Sequence, residues 1–270
     1  MINVLFANIV SKPALRGLWR PGIKVRHTKK SYRRGLCPIG MSSFAVSVKE
    51  TDLWLAVDEK IQISGLPGKV EQFLRRERGF LERYIEEDPF FLQTYEPYEA
   101  APGAPPIVHD MVHAGNKAGV GPMAAVAGAL AQYVGQWLLE ISSQVIIENG
   151  GDIFLRCDHP VTVGIFAGNS VFSEKLALKI KPQAGSQGIC TSSGTVGHSY
   201  SRGKADAAVI LAENAILADA VATAAANMVQ TQKDLSMAVK FAKKIEGVRG
   251  ILVILGEKLA AWGEIELVGT

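Results

Sequence analysis

Residues 145–155 read VIIENGGDIFL, two apolar runs joined by Asn149-Gly150-Gly151. An Asn-Gly-Gly turn between apolar runs is a strong hairpin signal, because the tight turns that connect twisted strands need positive φ values. Residues 145–147 are therefore predicted to form one strand and residues 153–155 the returning strand. The hairpin indicates that the chain contains antiparallel sheet.

A second hairpin is predicted near Ser42, where we expect regular structure to begin. Residues 44–57 hold an alternating run, a turn and an apolar run, which is typical of strands with one buried face. Residues 70–86 place apolar side chains near a spacing of 3.6, which predicts an amphipathic helix that Pro89 ends. We expect an ordered loop at residues 88–106.

Helical and strand patterns alternate along the rest of the chain. Residues 107–117 are predicted to be helical, and Pro122 stands at the first position of a long helix with one face of small residues. We expect Asp234 to cap the last helix and Gly247 to end it. The other predicted elements are strands at 161–166, 176–180, 188–190 and 207–211, helices at 215–229 and 234–245, and a hairpin at 251–255 and 261–267.

The order of these elements determines the fold class. Paired strands with helices between them predict an α+β fold with largely antiparallel sheets, and not a doubly wound parallel sheet. Each half of the chain follows the order hairpin, helix, hairpin, so we expect an internal structural duplication. Residues 32–270 are predicted to form a single domain of two intimately packed halves, and residues 1–31 a basic, irregular extension.

The composition, 48% hydrophobic and 20% charged, is that of a packed globular protein. Three widely spaced cysteines favour reduced thiols and a cytoplasmic location over a disulfide framework. Residues 1–34 carry nine Lys or Arg and no Asp or Glu. Contact of this leader with a polyanion or a membrane surface is the alternative to an irregular extension. We predict no nucleic-acid partner. We also predict no membrane span, since residues 122–139, the one long apolar run, contain Gln132 and Gln136 and suit a buried helix.

A candidate metal site lies in the alanine-rich helix around Asp219. Asp219 and Thr223 are four residues apart, and so on one helical face, among small apolar neighbours. A buried unpaired carboxylate is costly. A Mg²⁺ ion held by the Asp219 carboxylate, the Thr223 hydroxyl and a ligand phosphate would offset that cost. The alternative is that Asp219 complements the positive end of its own helix.

The loop after the strand at 188–190 is a candidate phosphate site. It offers several hydroxyl groups and accessible N–H groups, which suit phosphate oxygens. His198 is a candidate for proton transfer, with an ordinary hydrogen-bonding role as the alternative. The candidate binding residues of this loop are Thr191, Ser192, Ser193, Gly194 and Thr195.

The Asn-Gly-Gly turn is a second candidate binding segment. Its residues Asn149, Gly150, Gly151 and Asp152 combine a carboxamide and a carboxylate with glycines that let a ligand approach the backbone. Turn chemistry alone is the alternative explanation. Gly121, at the start of a helix, is a further candidate anion site.

These segments resemble a prokaryotic ApbE-like protein family, distant relatives of the FAD:protein FMN transferases in the ApbE superfamily. The resemblance covers residues 32–268 and rests on residues 50–53, 119–128, 148–153, 190–199, 203–206 and 218–220. It implies an ApbE-like α+β fold related to the T-fold, with a cleft between the halves. It also implies that Asp219 and Thr223 bind Mg²⁺ and that the Gly-Gly-Asp turn and the Ser-Gly loop contact FAD or FMN. Relatives of the T-fold often associate through sheet edges, which leaves a homo-oligomer as an expectation.

The sequence departs from the transferases in two places. They carry a lysine in the segment that reads Gly121 to Val126 here, and an Asp-Pro segment after the Ser-Gly loop, where this chain has His198-Ser199-Tyr200-Ser201. The resemblance leads us to expect a protein that binds a small-molecule flavin or another phosphorylated nucleotide with Mg²⁺, as a transferase or hydrolase, whereas the two departures favour a non-catalytic protein. The alternatives are a non-catalytic cofactor-binding accessory protein and an enzyme of anaerobic sulfur-amino-acid metabolism.

Overall fold

The computed structural model describes residues 37–194 and 203–270, together with the backbone of residues 4–7. The strands are β1 (Val4–Ala7), β2 (Met41–Val48), β3 (Thr51–Asp58), β4 (Val145–Asn149), β5 (Asp152–Arg156), β6 (Val161–Ile165), β7 (Leu176–Ile180), β8 (Gln187–Ser192), β9 (Ala207–Ala212), β10 (Val248–Leu255), β11 (Lys258–Gly263) and β12 (Leu267–Gly269). The helices are α1 (Leu66–Glu87), α2 (Pro89–Gln93), α3 (Pro106–Ala118), α4 (Val126–Leu138), α5 (Ala215–Met228) and α6 (Leu235–Ala242), with 3₁₀ helices at Pro122–Ala125 and Gln232–Asp234.

A large antiparallel sheet of eight strands is the centre of the fold, in the order β11-β10-β9-β8-β5-β4-β3-β2. It consists of two runs, β2–β5 and β8–β11, and each run has two strands, then helices, then two strands. The runs join where β5 pairs with β8, in a register that places Asp152 opposite Cys190. This tandem order confirms the predicted α+β class and is the arrangement that an internal duplication would produce.

A smaller sheet, in the order β1-β6-β7-β12, forms a second layer. β6, β7 and β12 pair antiparallel, whereas β1 runs parallel to β6. β1 lies before Ser42, so the expectation that regular structure begins there is wrong. Residues 4–7 are all apolar, so they lack the alternation that marks a half-buried strand in a sequence.

Two hydrophobic cores lie on opposite faces of the large sheet. The side chains of β5 alternate between the two cores, because successive side chains of a strand point to opposite faces. Phe154 joins the core beneath the helices, whereas Ile153 and Leu155 join the core shared with the smaller sheet. The fold is therefore three layers: helices, large sheet and small sheet.

The small-residue face predicted on the helix after Pro122 lets α4 pack very closely. A Cβ atom at Gly135 would lie 2.1 Å from Cδ1 of Phe154, and one at Gly128 would lie 2.2 Å from the carbonyl oxygen of Ala215 on α5. α4 therefore contacts both the sheet and α5 through its glycines. Among the described residues, no helix has both the length and the apolarity needed to cross a bilayer.

Three local predictions need correction. Residues 88–106 are not entirely loop, because α2 forms at Pro89–Gln93, with the Asp88 carboxylate accepting the Phe90 N–H. The helix expected from Pro122 begins as a 3₁₀ helix. Asp234 is the N-cap residue of α6 as predicted, but its side chain makes no capping hydrogen bond there; its carboxylate accepts the N–H groups of Thr231 at 2.8 Å and Gln230 at 3.1 Å. These N–H groups lower the pKa of Asp234.

Candidate functional site

Asp219 lies where α4 and α5 pack together, and its side chain is fully buried. The Oδ2 atom accepts a hydrogen bond from the backbone N–H of Gly128 at 2.9 Å. Gly128 belongs to the first turn of α4, where backbone N–H groups have no partner inside the helix. The carboxylate thus complements the positive end of the neighbouring helix, and not that of its own helix as the alternative supposed.

Gln132 makes the reciprocal contact, in which a side chain of α4 accepts a backbone N–H of α5. Its Oε1 atom accepts the N–H of Ala215, the first residue of α5, at 2.9 Å, and its side chain is buried. Residues 128 and 132 on α4 meet residues 219 and 215 on α5, so the two N-terminal segments lie antiparallel. This role of Gln132 was not predicted from the sequence, because a glutamine in an apolar helix belongs to no motif. Its spacing of four residues from Gly128 is the signal that could have found it.

The predicted Asn-Gly-Gly turn is present and is attached to the start of α4. Gly150 and Gly151 have φ values of 65° and 107°, which explains both glycines by turn geometry. The Asn149 side-chain amide donates to the carbonyl oxygen of Ala127 at 3.0 Å, next to Gly128. Asp152 is fully buried and shares the helix-facing side of β5 with Phe154. The turn and Asp219 therefore bind the same peptide unit of α4, the turn at the Ala127 carbonyl and Asp219 at the Gly128 N–H.

The end of β8 lies beside this turn, since the Thr191 N–H donates to the Gly151 carbonyl at 3.2 Å. The neighbouring Cys190 faces α5, with its Sγ atom 3.3 Å from the Ala215 carbonyl oxygen. Alternation along the strand places Thr191 on the opposite face, away from α5, and Ser192 on the same face as Cys190. The Thr191 hydroxyl is buried, with no hydrogen-bond partner among the described residues. The backbone of Thr191 therefore lies next to the Asn-Gly-Gly turn, whereas its hydroxyl lies on the face of the sheet away from α5 and Asp219.

The Ser-Gly loop packs against another backbone segment. The Gly194 N–H donates to the Ala205 carbonyl at 2.8 Å, and the Ser193 hydroxyl donates to the same oxygen at 3.2 Å. A Cβ atom at Gly194 would lie 1.9 Å from the Gly203 carbonyl oxygen, so close packing by itself explains this glycine. Thr195 and His198 lie outside the described residues, and their assigned roles stay predictions.

Gly121 does not form the anion site that its position suggested. Its N–H donates to the Tyr95 carbonyl at 2.8 Å, and those of Gly119 and Val120 donate to backbone carbonyls of α3. A Cβ atom at Gly121 would lie 2.1 Å from the Thr94 carbonyl oxygen. The glycine is explained by this close approach, and its N–H is not available to a ligand.

The Asp219 and Thr223 oxygens suit Mg²⁺ in type, because Mg²⁺ prefers hard oxygen ligands. They are one helical turn apart, with Asp219 buried and Thr223 half-buried. Across the described ranges, no group of three His, Cys, Asp or Glu residues is placed to hold a metal. A Mg²⁺ ion bound here would therefore take its other ligands from backbone carbonyls, water or the phosphate of a ligand.

A separate cavity of about 270 Å³ lies between the two sheets. Lys179 and Lys181 pair with Glu266 at 3.3 Å and 3.0 Å, and Arg249 pairs with Glu264. These three cations therefore already have carboxylate partners. Asp219 is not among the residues that line this cavity.

The architecture is similar to that of ApbE proteins of known structure. The apo form of the flavinyl transferase ApbE from Pseudomonas stutzeri aligns with a TM-score of 0.53 and 12% identity, over 83% of this chain and 94% of that one. The ApbE protein of Thermotoga maritima gives a TM-score of 0.51 and 15% identity, over 82% and 96% of the two chains. The protein therefore has the ApbE-like fold.

Sequence similarity identifies the family. The family model described as AbpE bacteria matches residues 34–255, and the chain belongs to this family. A UPF0280 protein of Methanosarcina barkeri is 41% identical over 220 residues, 81% of this chain and 85% of its own length. One from Methanocaldococcus jannaschii is 40% identical over 231 residues, 83% and 92% of the two chains. The resemblance inferred from the residues is confirmed.

Proposed function

We propose that the protein binds a flavin or another phosphorylated nucleotide together with Mg²⁺ beside Asp219, and transfers or hydrolyses a phosphoryl-linked group of that ligand. The observation that carries the proposal is the placement of Asp219. A fully buried carboxylate lies where the first turns of two helices and the Asn149–Asp152 turn converge. Burial of a carboxylate is costly unless hydrogen bonds or a positive charge offset the cost, and a bound cation would contribute to that offset.

Different residues would bind the cation and the phosphate. Asp219 and Thr223 would hold the Mg²⁺ ion, which supplies Lewis-acid stabilisation of charge on phosphoryl oxygens. The Asn149 side chain fixes the turn to α4. The Gly151 N–H already donates to the Glu148 carboxylate at 3.1 Å, whereas Gly150 leaves its part of the backbone without a side chain. A phosphate could therefore approach this backbone closely.

The cytoplasm is the proposed location, in keeping with Cys37, Cys157 and Cys190, which form no disulfide.

A non-catalytic cofactor-binding protein is the second candidate, and one observation favours it. Met123 occupies the segment in which the transferases carry a lysine, and it is buried in the core beneath the helices. This position thus serves packing and contributes no charge to a phosphate. A binding protein would keep the ligand but would lack the step that breaks the pyrophosphate.

Incubation with FAD and Mg²⁺, followed by measurement of AMP, tests the proposal. In the reaction the pyrophosphate P–O bond breaks, AMP leaves with the bridging oxygen, and the FMN phosphorus joins a water or hydroxyl oxygen. We expect AMP release to require Mg²⁺ and to be lost in Asp219→Ala but kept in Asp158→Ala, a change at an exposed aspartate.

Two other outcomes separate the candidates. Binding of FAD without AMP release, with and without an acceptor peptide that contains Ser and Thr, would favour the non-catalytic reading. Absence of FAD and ADP binding under all conditions would refute both.

A further inference from the structure

We propose that Gln132 is a positioning residue that sets the place of the Asp219 carboxylate relative to α4. The inference rests on the proposed function, because it concerns the cation that Asp219 would bind. Its basis is the pair of hydrogen bonds that link α4 and α5 in opposite directions: Gly128 N–H to Asp219 and Ala215 N–H to Gln132, each at 2.9 Å.

The two helix backbones are in contact at this point. A Cβ atom at Gly128 would lie 2.2 Å from the Ala215 carbonyl oxygen and 2.8 Å from the Asp219 Cβ. The place of Asp219 therefore depends on how the first turn of α5 is held, since Asp219 follows Ala215 by one turn. Gln132 holds that turn by its first N–H.

The capping of α5 shows why an acceptor is needed at this place. Asn214 accepts the N–H of Leu217 at 2.8 Å, which satisfies one of the N-terminal donors. The Ala215 N–H lies deeper, in a buried residue, and Gln132 supplies its acceptor. Without that oxygen, a buried N–H would be left unpaired, which is costly, and the first turn of α5 would have to shift to find another partner.

Metal affinity is more sensitive than stability to such a shift, because Mg²⁺ demands near-ideal octahedral geometry. A displacement that packing tolerates would still misplace the Asp219 carboxylate. Gln132 thus acts on the cation through α5, without contact with it.

Mn²⁺ alone, as a probe for Mg²⁺, tests the inference by the electron paramagnetic resonance signal of the free ion. Gln132→Met has a side chain of similar length but no acceptor for the Ala215 N–H, and we expect it to bind Mn²⁺ about tenfold more weakly, as befits one lost buried hydrogen bond. Gln132→Glu keeps an acceptor oxygen and is expected to restore the affinity. Gln136→Met is the matched control, since Gln136 lies one turn further along α4 and is exposed.

Unchanged Mn²⁺ affinity in folded Gln132→Met would overturn the inference alone, whereas failure of the unaltered protein to bind Mn²⁺ would overturn the proposed metal site as well. An equal loss in Gln132→Met and Gln132→Glu would also overturn the inference, because it would show that the site responds to packing and not to the acceptor. If Gln132→Met does not fold, Gln132→Asn, whose amide is one methylene shorter, is measured in the same way, and unchanged affinity there contradicts the proposal.

Discussion

The contact between α4 and α5 predicts that Gly128→Ala destabilises the protein, although alanine is the better helix former. The added Cβ would lie 2.2 Å from the carbonyl oxygen of Ala215 and 2.8 Å from the Cβ of Asp219. Ordinary contacts of a methyl group are longer by about 1 Å, so the two helices have to move apart. The atoms that the methyl meets are backbone or close to it, and no rotation of a side chain can relieve the clash.

The size of the effect follows from opposing contributions. Overpacking costs about 1–3 kcal/mol, with the upper end expected against backbone. Separation of the helices also weakens the buried hydrogen bond from Gly128 to the Asp219 carboxylate, a class of bond that contributes about 1.5–3 kcal/mol. Replacement of a helical glycine by alanine returns about 1 kcal/mol. The free energy of unfolding should therefore fall by about 2–4 kcal/mol, with a decrease in Tm of roughly 5–10 °C.

Urea denaturation of Gly128→Ala and Gly79→Ala, measured side by side, provides the test. Gly79 lies inside α1, and a Cβ there would meet only the end of the Arg83 side chain, at 3.7 Å. Gly79→Ala should stabilise the protein by about 0.5–1 kcal/mol. A Gly128→Ala protein as stable as the unaltered one, or stabilised like Gly79→Ala, would refute the close contact of α4 with α5.

Three further predictions concern individual side chains. Asp219→Asn keeps an oxygen for the Gly128 N–H, so Asp219→Ala should be less stable than Asp219→Asn by about 1–3 kcal/mol in urea denaturation, and equal stability would contradict the capping role. Burial raises the pKa of the Cys157 thiol to about 12, with a smaller contribution from the charge of Asp158, so iodoacetamide at pH 8.5 should modify Cys157 only after denaturation; rapid modification of the native protein would be contrary evidence. The hydrogen bond from Arg249 lowers the pKa of Glu264 below its ordinary value of 4.5, so the pair stabilises the fold above that pH and the contribution is lost as the pH falls below it. Glu264→Gln should thus lower the urea midpoint at pH 7 by the equivalent of at most about 1 kcal/mol. The difference from the unaltered protein should decrease as the pH falls below 4.5.

The sequence was sufficient for elements whose pattern is local. The Asn-Gly-Gly hairpin, the amphipathic helix α1 and the strand β7 lie where the spacing of apolar residues and the turn residues predict them. The early strand β1 was not predictable, because its partner β6 is more than 150 residues away and four residues show no period. The short helix α2 was hidden by Pro89, which ends α1 and also begins α2.

Some residues of the candidate site stand out in the sequence, but the contacts between them do not. Asp219 stands out in the sequence as a carboxylate among alanines, and Asn149 as part of a turn. Three contacts depend on the tertiary structure. Asp219 accepts an N–H of α4, Gln132 accepts an N–H of α5, and Gly121 packs closely against the Thr94 carbonyl. Spacing within one helix reveals which residues share a face, but not which neighbour that face meets.

The join between the two runs of the large sheet has a consequence for the history of the fold. The carboxylate of the site comes from the second run and the N–H that it binds comes from the first, so neither run contains the site by itself. A polypeptide with a single run could build this crossing only by pairing with a second copy. Fusion of two such copies into one chain would free the two halves to diverge, so that one helix can carry an aspartate and the other a glutamine.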